Sequence, residues 1–216
     1  MGRCRLSIVI PAFNEEKTIG TVVDELKKYG VVLVVDDGST DKTSEVLKRS
    51  GVCVFRLDTN VGYERALNIG LTEASMLDCD FIITCDADGE LLPCNIPKFL
   101  TVLNSADIVV GIRSKKNRLS EKVSGFFTKF MFNVSDPLCG MKGYKRSVLV
   151  ECLPLMDSRL VGMDILAIAL KKKLSIKEVN VFVATRRGTS RFGQTFSANL
   201  KIYNALRLFF TKVYGK

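Results

Sequence analysis

A chain of 216 residues, 47% hydrophobic and 25% charged, is long enough for one packed domain and too apolar to be disordered. It has no His, which excludes imidazole catalysis and His-based zinc sites, and no apolar run near ~18 residues, which excludes a transmembrane helix. The net charge of +9 is unevenly placed: residues 1–108 carry 11 Lys+Arg against 17 Asp+Glu, and residues 109–216 carry 21 against 6. A basic second half suits an anionic partner, although a solvated basic face accounts for it equally well. The seven Cys form no CxxC and no paired spacing, and the start of the chain has no signal-peptide pattern. The expectation is reduced thiols in a cytoplasm.

In chain order, Leu6–Pro11 reads as a buried first strand closed by Pro11, followed by a loop at Ala12–Glu16. Ile19, Val22, Val23 and Leu26 recur at helical spacing. Val31–Val35 is a second buried strand, ending in the polar loop Asp36–Asp41, and a helix near residues 41–50 leads to a third strand at Val52–Phe55. A loop at Asn60–Gly62 enters another helix, and Phe81–Thr84 is a fourth apolar strand. Strands alternating with helices predict a mostly parallel sheet covered on both faces, with ligands bound beyond the carboxyl ends of the strands. There is no GxGxxG and no Walker glycine loop.

The fourth strand runs directly into Asp86, Asp88 and Glu90, around a turn residue, Gly89. Past the end of a strand the alternation of faces relaxes, so these carboxylates can share one spot. Grouped anions repel unless a cation lies between them. A hard divalent ion with positions open to phosphate oxygens, Mg²⁺ or Mn²⁺, suits that place. A solvated acidic turn is the plainer alternative.

The segments Ser7–Glu16, Val35–Asp41, Asn60-x-Gly62 with Ala66 and Gly70, and Asp86-Ala87-Asp88-Gly89 together resemble the inverting glycosyltransferases of family two. The likeness covers roughly residues 6–192. Asp107–Arg113 looks like a strand ending in Gly-x-Arg, and Ser135–Arg146 is similar to a segment of the polyprenyl-phosphate sugar synthases. Arg186–Phe192 resembles their late arginine–glycine–serine motif, with the arginine displaced, and Glu90 stands where mannose synthases usually carry Gln.

The resemblance implies a GT-A fold, a Rossmann-like three-layer α/β architecture with a mostly parallel central sheet. The expected division is a glycosyltransferase domain at 1–192, with a nucleotide-sugar half at 1–108 and an acceptor half at 109–192, and a C-terminal amphipathic helix at 193–216. The implied function is metal-dependent transfer from a UDP- or GDP-sugar to polyprenyl phosphate. Transfer to a glycan hydroxyl, or a non-catalytic nucleotide-sugar-binding module, is the alternative. The nucleotide would be met by Pro11, Ala12, Asn14, Glu15, Asp36, Asp37, Ser39, Asn60, Arg65 and Asp86, and the metal by Asp86, Asp88 and Glu90. Asp88, Arg113 and Asp164 are the expected catalytic groups, Asp164 being either a base or a helix N-terminal charge. Lys142, Arg186, Arg187 and Arg191 are expected at the acceptor phosphate, and Asp136 is read as ordering the turn that presents Lys142.

Leu119–Asn133 and Phe196–Tyr214 place aromatic and aliphatic residues at helical steps among Lys and Arg. Each reads as a membrane-surface helix or as ordinary core or a dimer face. The expected partners are a nucleotide sugar, polyprenyl phosphate and a membrane surface touched peripherally from the cytoplasm. A homodimer or a membrane-protein partner is a further option, and nucleic acid is not expected.

Overall fold

The computed structural model describes residues 4–114, 125, 128–129, 133–156 and 161–184. The expected helix at 193–216, most of Leu119–Asn133, and Arg186, Arg187 and Arg191 lie outside the described residues.

Within them, a seven-stranded sheet has the order β3-β2-β1-β4-β6-β5-β7. Its strands are β1 (Cys4–Ala12), β2 (Val31–Asp36), β3 (Cys53–Arg56), β4 (Cys79–Thr84), β5 (Ile108–Arg113), β6 (Lys142–Lys145) and β7 (Ile176–Val181). The first four are mutually parallel, and β5 is parallel to β7. The sheet is mostly parallel, as expected; β6, which the sequence reading did not recognise, lies antiparallel between β4 and β5 and joins the two halves.

The helices are α1 (Ile19–Leu26), α2 (Thr43–Ser50), α3 (Tyr63–Met76), α4 (Ile96–Leu103), α5 (Arg146–Cys152) and α6 (Val161–Lys171). Alternation along the strands sorts the core into two layers. Ile8, Ile10, Val34 and Ile83 pack with Ile19, Val23 and Leu26 of α1, Leu47 of α2 and Phe99 of α4. Val9, Val35, Ile82 and Tyr144 pack with Leu67 and Leu71 of α3, Leu149 of α5 and Ile165 of α6. Each fully buried aliphatic side chain contributes roughly 1.5–3 kcal/mol, so the i, i+3, i+4 stripe of α1 is enough to fix that helix on the sheet. The result is helix, sheet, helix.

One expectation is corrected. Pro11 does not close β1, which runs on to Ala12. The Val9 carbonyl accepts from Cys85 N, so residues 9 and 11 turn their backbone groups toward β4. The pairing with β4 ends at Val9–Thr84, so by Pro11 there is no ladder partner on that side, and the absent N–H costs nothing.

Candidate active site

Because β1, β2 and β4 are parallel, their following loops emerge at one sheet edge, where open α/β sheets bind ligands. The loops after β1 and β2 are stitched together there. Asn14 sits at φ 54°, its amide N donates to Ser39 Oγ at 3.0 Å, and its Oδ1 accepts from Thr40 N at 2.8 Å. Glu15 N donates to Thr43 Oγ1 at 2.8 Å. Asp36 is fully buried, with Oδ1 accepting from Ser39 N at 3.0 Å and Oδ2 from the Ser44 hydroxyl. Asp37 is 2% exposed, and its two oxygens take the N–H groups of Val61 at 2.7 Å and Gly62 at 3.0 Å.

The residues expected to meet the nucleotide lie on the loops and strand ends of this edge, and their carboxylates are not all presented outward. Asp36 and Asp37 are internal anchors whose oxygens order the loops. Pro11 and Ala12 are buried strand residues, Asn60 is exposed on the loop that Asp37 holds, and Arg65 is exposed on α3.

Beyond β4, Asp86 Oδ1 accepts from the Tyr63 hydroxyl at 3.0 Å, and its carboxylate lies flat against Gly140. Asp88 is 8% exposed, and its Oδ1 accepts from Glu90 N at 3.0 Å across a turn in which Gly89 has φ 73°. That left-handed conformation favours glycine. Glu90 O accepts from Ala184 N at 2.8 Å, which joins this turn to the chain leaving β7. Among the described residues no three Asp, Glu, Cys or His side chains form a ready metal cluster, Asp86, Asp88 and Glu90 included. Asp86 is drawn toward Tyr63 and Gly140 while Asp88 folds back on its own turn. The donors are nevertheless hard oxygens at one strand end, and Mg²⁺ is typically held by one or two carboxylates together with substrate phosphates. The residues fit such a shared ion.

In the second half, the Arg113 guanidinium meets Asp136 through Nε at 2.9 Å and Nη2 at 3.0 Å, the two side chains being 15% and 2% exposed. Asp136 also accepts from Arg113 N at 3.2 Å. The pair holds the Arg113 guanidinium in place, and the Asp136 carbonyl accepts from Cys139 N at 3.2 Å on the approach to β6.

Lys142 is not on an open phosphate surface. It is 6% exposed, and its ammonium donates to Cys139 O beneath Gly162 at the start of α6. Strand alternation places it there, because Lys142 and Tyr144 share the face covered by α3, α5 and α6. Burial lowers the Lys142 pKa, while Asp136, Glu64 and Asp86 act to raise it.

Asp164 is 4% exposed in the first turn of α6. Nearby, Glu64 Oε2 accepts from Val161 N at 2.7 Å. Burial raises the Glu64 pKa, and Asp164 and Asp86 add to the rise against the Val161 N–H and Lys142. Glu64, Tyr63 and Thr84, whose hydroxyl donates to Gly140 O at 2.7 Å, belong to this arrangement and escaped the sequence reading. Tyr63 and Glu64 lie between Gly62 and Ala66, so only their place within that segment could have signalled them.

The family model described as glycosyl transferase family 2 matches residues 7–152. A Methanocaldococcus jannaschii protein with no assigned function is 33% identical over 81% of this chain and 79% of its own. The UDP-N-acetylglucosamine–dolichyl-phosphate N-acetylglucosaminyltransferase of Methanococcus voltae is 28% identical over 92% of this chain and 93% of its own. An undecaprenyl-phosphate 4-deoxy-4-formamido-L-arabinose transferase of Photorhabdus laumondii is 26% identical over 94% of this chain and 66% of its own. Among solved structures, glucosyl-3-phosphoglycerate synthase of Mycobacterium tuberculosis, in complex with Mn²⁺, UDP and glucosyl-3-phosphoglycerate, superposes with a TM-score of 0.75 at 22% identity, over 96% of this chain and 80% of that one. The fold is that of the GT-A glycosyltransferases, and the matched segment spans β1 to α5, the frame that builds this sheet edge. The chain is a glycosyltransferase belonging to glycosyl transferase family 2.

Proposed function

We propose that the chain moves a sugar from a UDP- or GDP-sugar to polyprenyl phosphate with inversion, from the cytoplasmic face of a membrane. The observation that carries the reading is the Asp86–Asp88 turn at the end of β4, linked through Tyr63 to the loop that Asp37 holds. The names of the M. voltae and P. laumondii relatives support a polyprenyl-phosphate acceptor, and the bound Mn²⁺ and UDP of the M. tuberculosis neighbour support a metal-assisted nucleotide-sugar donor. No described helix is long and apolar enough to cross a membrane.

In this reading the loops after β1, β2 and β3 seat the nucleotide, and Asp86 and Asp88 hold Mg²⁺ or Mn²⁺. That ion would offset the charge of the departing nucleoside diphosphate. The acceptor phosphate oxygen forms the new bond to the anomeric carbon as the bond to the diphosphate breaks. This oxygen arrives ionised, so no proton need be removed. Arg113, with Arg186, Arg187 and Arg191, would bring the acceptor phosphate close to the diphosphate against their mutual repulsion.

A glycan hydroxyl is the second reading, and the burial of Asp164 in the first turn of α6 favours keeping it. There Asp164 would take the hydroxyl proton. The test is a panel of radiolabelled UDP- and GDP-sugars with polyprenyl phosphate and Mn²⁺, followed by organic extraction, for wild type and Asp164→Asn. Lipid-soluble product and a modest loss in Asp164→Asn are expected. A water-soluble product with a ~10²–10⁴-fold loss in Asp164→Asn, the usual cost of a missing general base, would overturn the lipid-phosphate reading.

A further inference from the structure

The first turn of α3 touches three things at once. Its preceding loop is fixed by Asp37, whose carboxylate accepts from Val61 N at 2.7 Å and Gly62 N at 3.0 Å. Its first residue, Tyr63, donates to Asp86 at 3.0 Å. Its second residue, Glu64, accepts from Val161 N at 2.7 Å, 97 residues away in sequence. Val161 opens α6 and is fully buried, Gly162 covers the Lys142 ammonium, and Asp164 lies three residues on. The first N–H groups of a helix have no partner within it, and a carboxylate is the favoured one there, because the helix dipole is positive at that end.

We propose that Glu64 is a positioning residue of the transfer reaction, tying the first turn of α6 to the turn of α3 that holds Asp86. The inference rests on the glycosyl-transfer reading above. The α6 end that carries Asp164 comes from the second half of the chain, and the Asp86 turn comes from the first. Glu64 provides a direct hydrogen bond between them at the sheet edge. Lys142 from β6, Asp164 from α6 and Asp86 from the β4 turn are the charged groups around it. The carboxylate thus lies between a buried cation and two further carboxylates, where a small displacement changes how the two halves meet. Glu64 touches no reacting atom in this scheme; it acts through α6.

The variants follow from reach and chemistry. Glu64→Gln keeps an oxygen that accepts from Val161 N. Glu64→Asp keeps the charge but is one methylene shorter. Glu64→Ala removes the acceptor. Arg146→Ala is the control: it deletes the 2.8 Å bond from Arg146 Nε to Ser75 O at the opposite end of α3, away from the site. Donor and acceptor KM, kcat, thermal melting and hydrogen exchange at the Val161 amide would be measured on the full chain with polyprenyl phosphate.

The expected result is a ten-fold or larger loss of kcat/KM for the acceptor in Glu64→Asp and Glu64→Ala. Donor KM should stay within about three-fold, Val161 exchange should be faster, and Glu64→Gln should restore most of the loss. Acceptor kinetics in Glu64→Ala no different from Arg146→Ala at matched melting temperature would overturn the proposal while leaving glycosyl transfer intact. Wild-type protein that transfers no sugar from any donor would overturn both.

Discussion

Gly140→Ala tests the site by sterics alone. A Cβ built on Gly140 falls 2.1 Å from Asp86 Oδ2, 2.6 Å from its Cγ and 2.8 Å from Oδ1. Real Cβ contacts stay beyond 3.0 Å, so either the carboxylate or the Gly140 backbone must give by about 0.9 Å. The backbone is held, because the Gly140 carbonyl accepts from Thr84 Oγ1 at 2.7 Å and Lys142 N donates back to the same hydroxyl at 3.1 Å. Asp86 therefore moves and its 3.0 Å bond from Tyr63 breaks. A displacement of about 1 Å in a reacting arrangement costs on the order of 10²-fold in rate. Overpacking of one methyl costs about 1–3 kcal/mol, which for a domain of this size lowers Tm by several degrees without unfolding it. The assay is turnover at saturating donor and acceptor over a Mn²⁺ titration, with Tm measured in parallel. Turnover should fall about 100-fold, and Tyr63→Phe, which removes only the hydroxyl, should fall less. Wild-type turnover in Gly140→Ala would show that Asp86 is not where the chemistry depends on it.

Asp88→Asn should remove most turnover with an unchanged melting temperature, since it weakens a metal donor while keeping an oxygen for the Glu90 N–H; full activity of this variant in chelator would refute the metal assignment. Asp136→Ala leaves the Arg113 guanidinium largely buried without its carboxylate, so chemical denaturation should show a loss of roughly 3–5 kcal/mol, whereas a loss under 1 kcal/mol would mean that water reaches the pair. Asp107 has its pKa depressed to about 2, first by the Ser175 backbone N–H and then by the Ser175 hydroxyl and Lys145. A depressed carboxylate stabilises the fold above its unfolded pKa, so the advantage of wild type over Asp107→Asn should be complete above about pH 4 and vanish as pH falls toward 2. Melting curves across that window would check the sign.

The parallel half of the fold was legible because short, β-branched-rich apolar runs such as Val31–Val35 and Phe81–Thr84 read as strands buried on both faces, and because Ile19, Val22, Val23 and Leu26 keep helical spacing. The Asp86–Glu90 turn was legible for the same reason: charges that directly follow a buried strand mark where that strand ends. What the local sequence did not contain was direction and partnership. The four-residue β6 carries Lys and Gly and reads as no strand; its place between β4 and β5 comes from pairing over 58 residues, through Thr84 and Lys142. That pairing sends the Lys142 side chain under α6 rather than toward solvent. It also sets Gly140 against Asp86, which turns a row of three carboxylates into one held by Tyr63 and one folded on its own turn. Nothing in the local sequence singles out Glu64, and only the packing of α6 against α3 makes it the partner of an amide 97 residues away. Residue type and period specify elements and the edge where they end. Which side chains meet at that edge depends on strand register and helix packing, and these exist only once distant segments have come together.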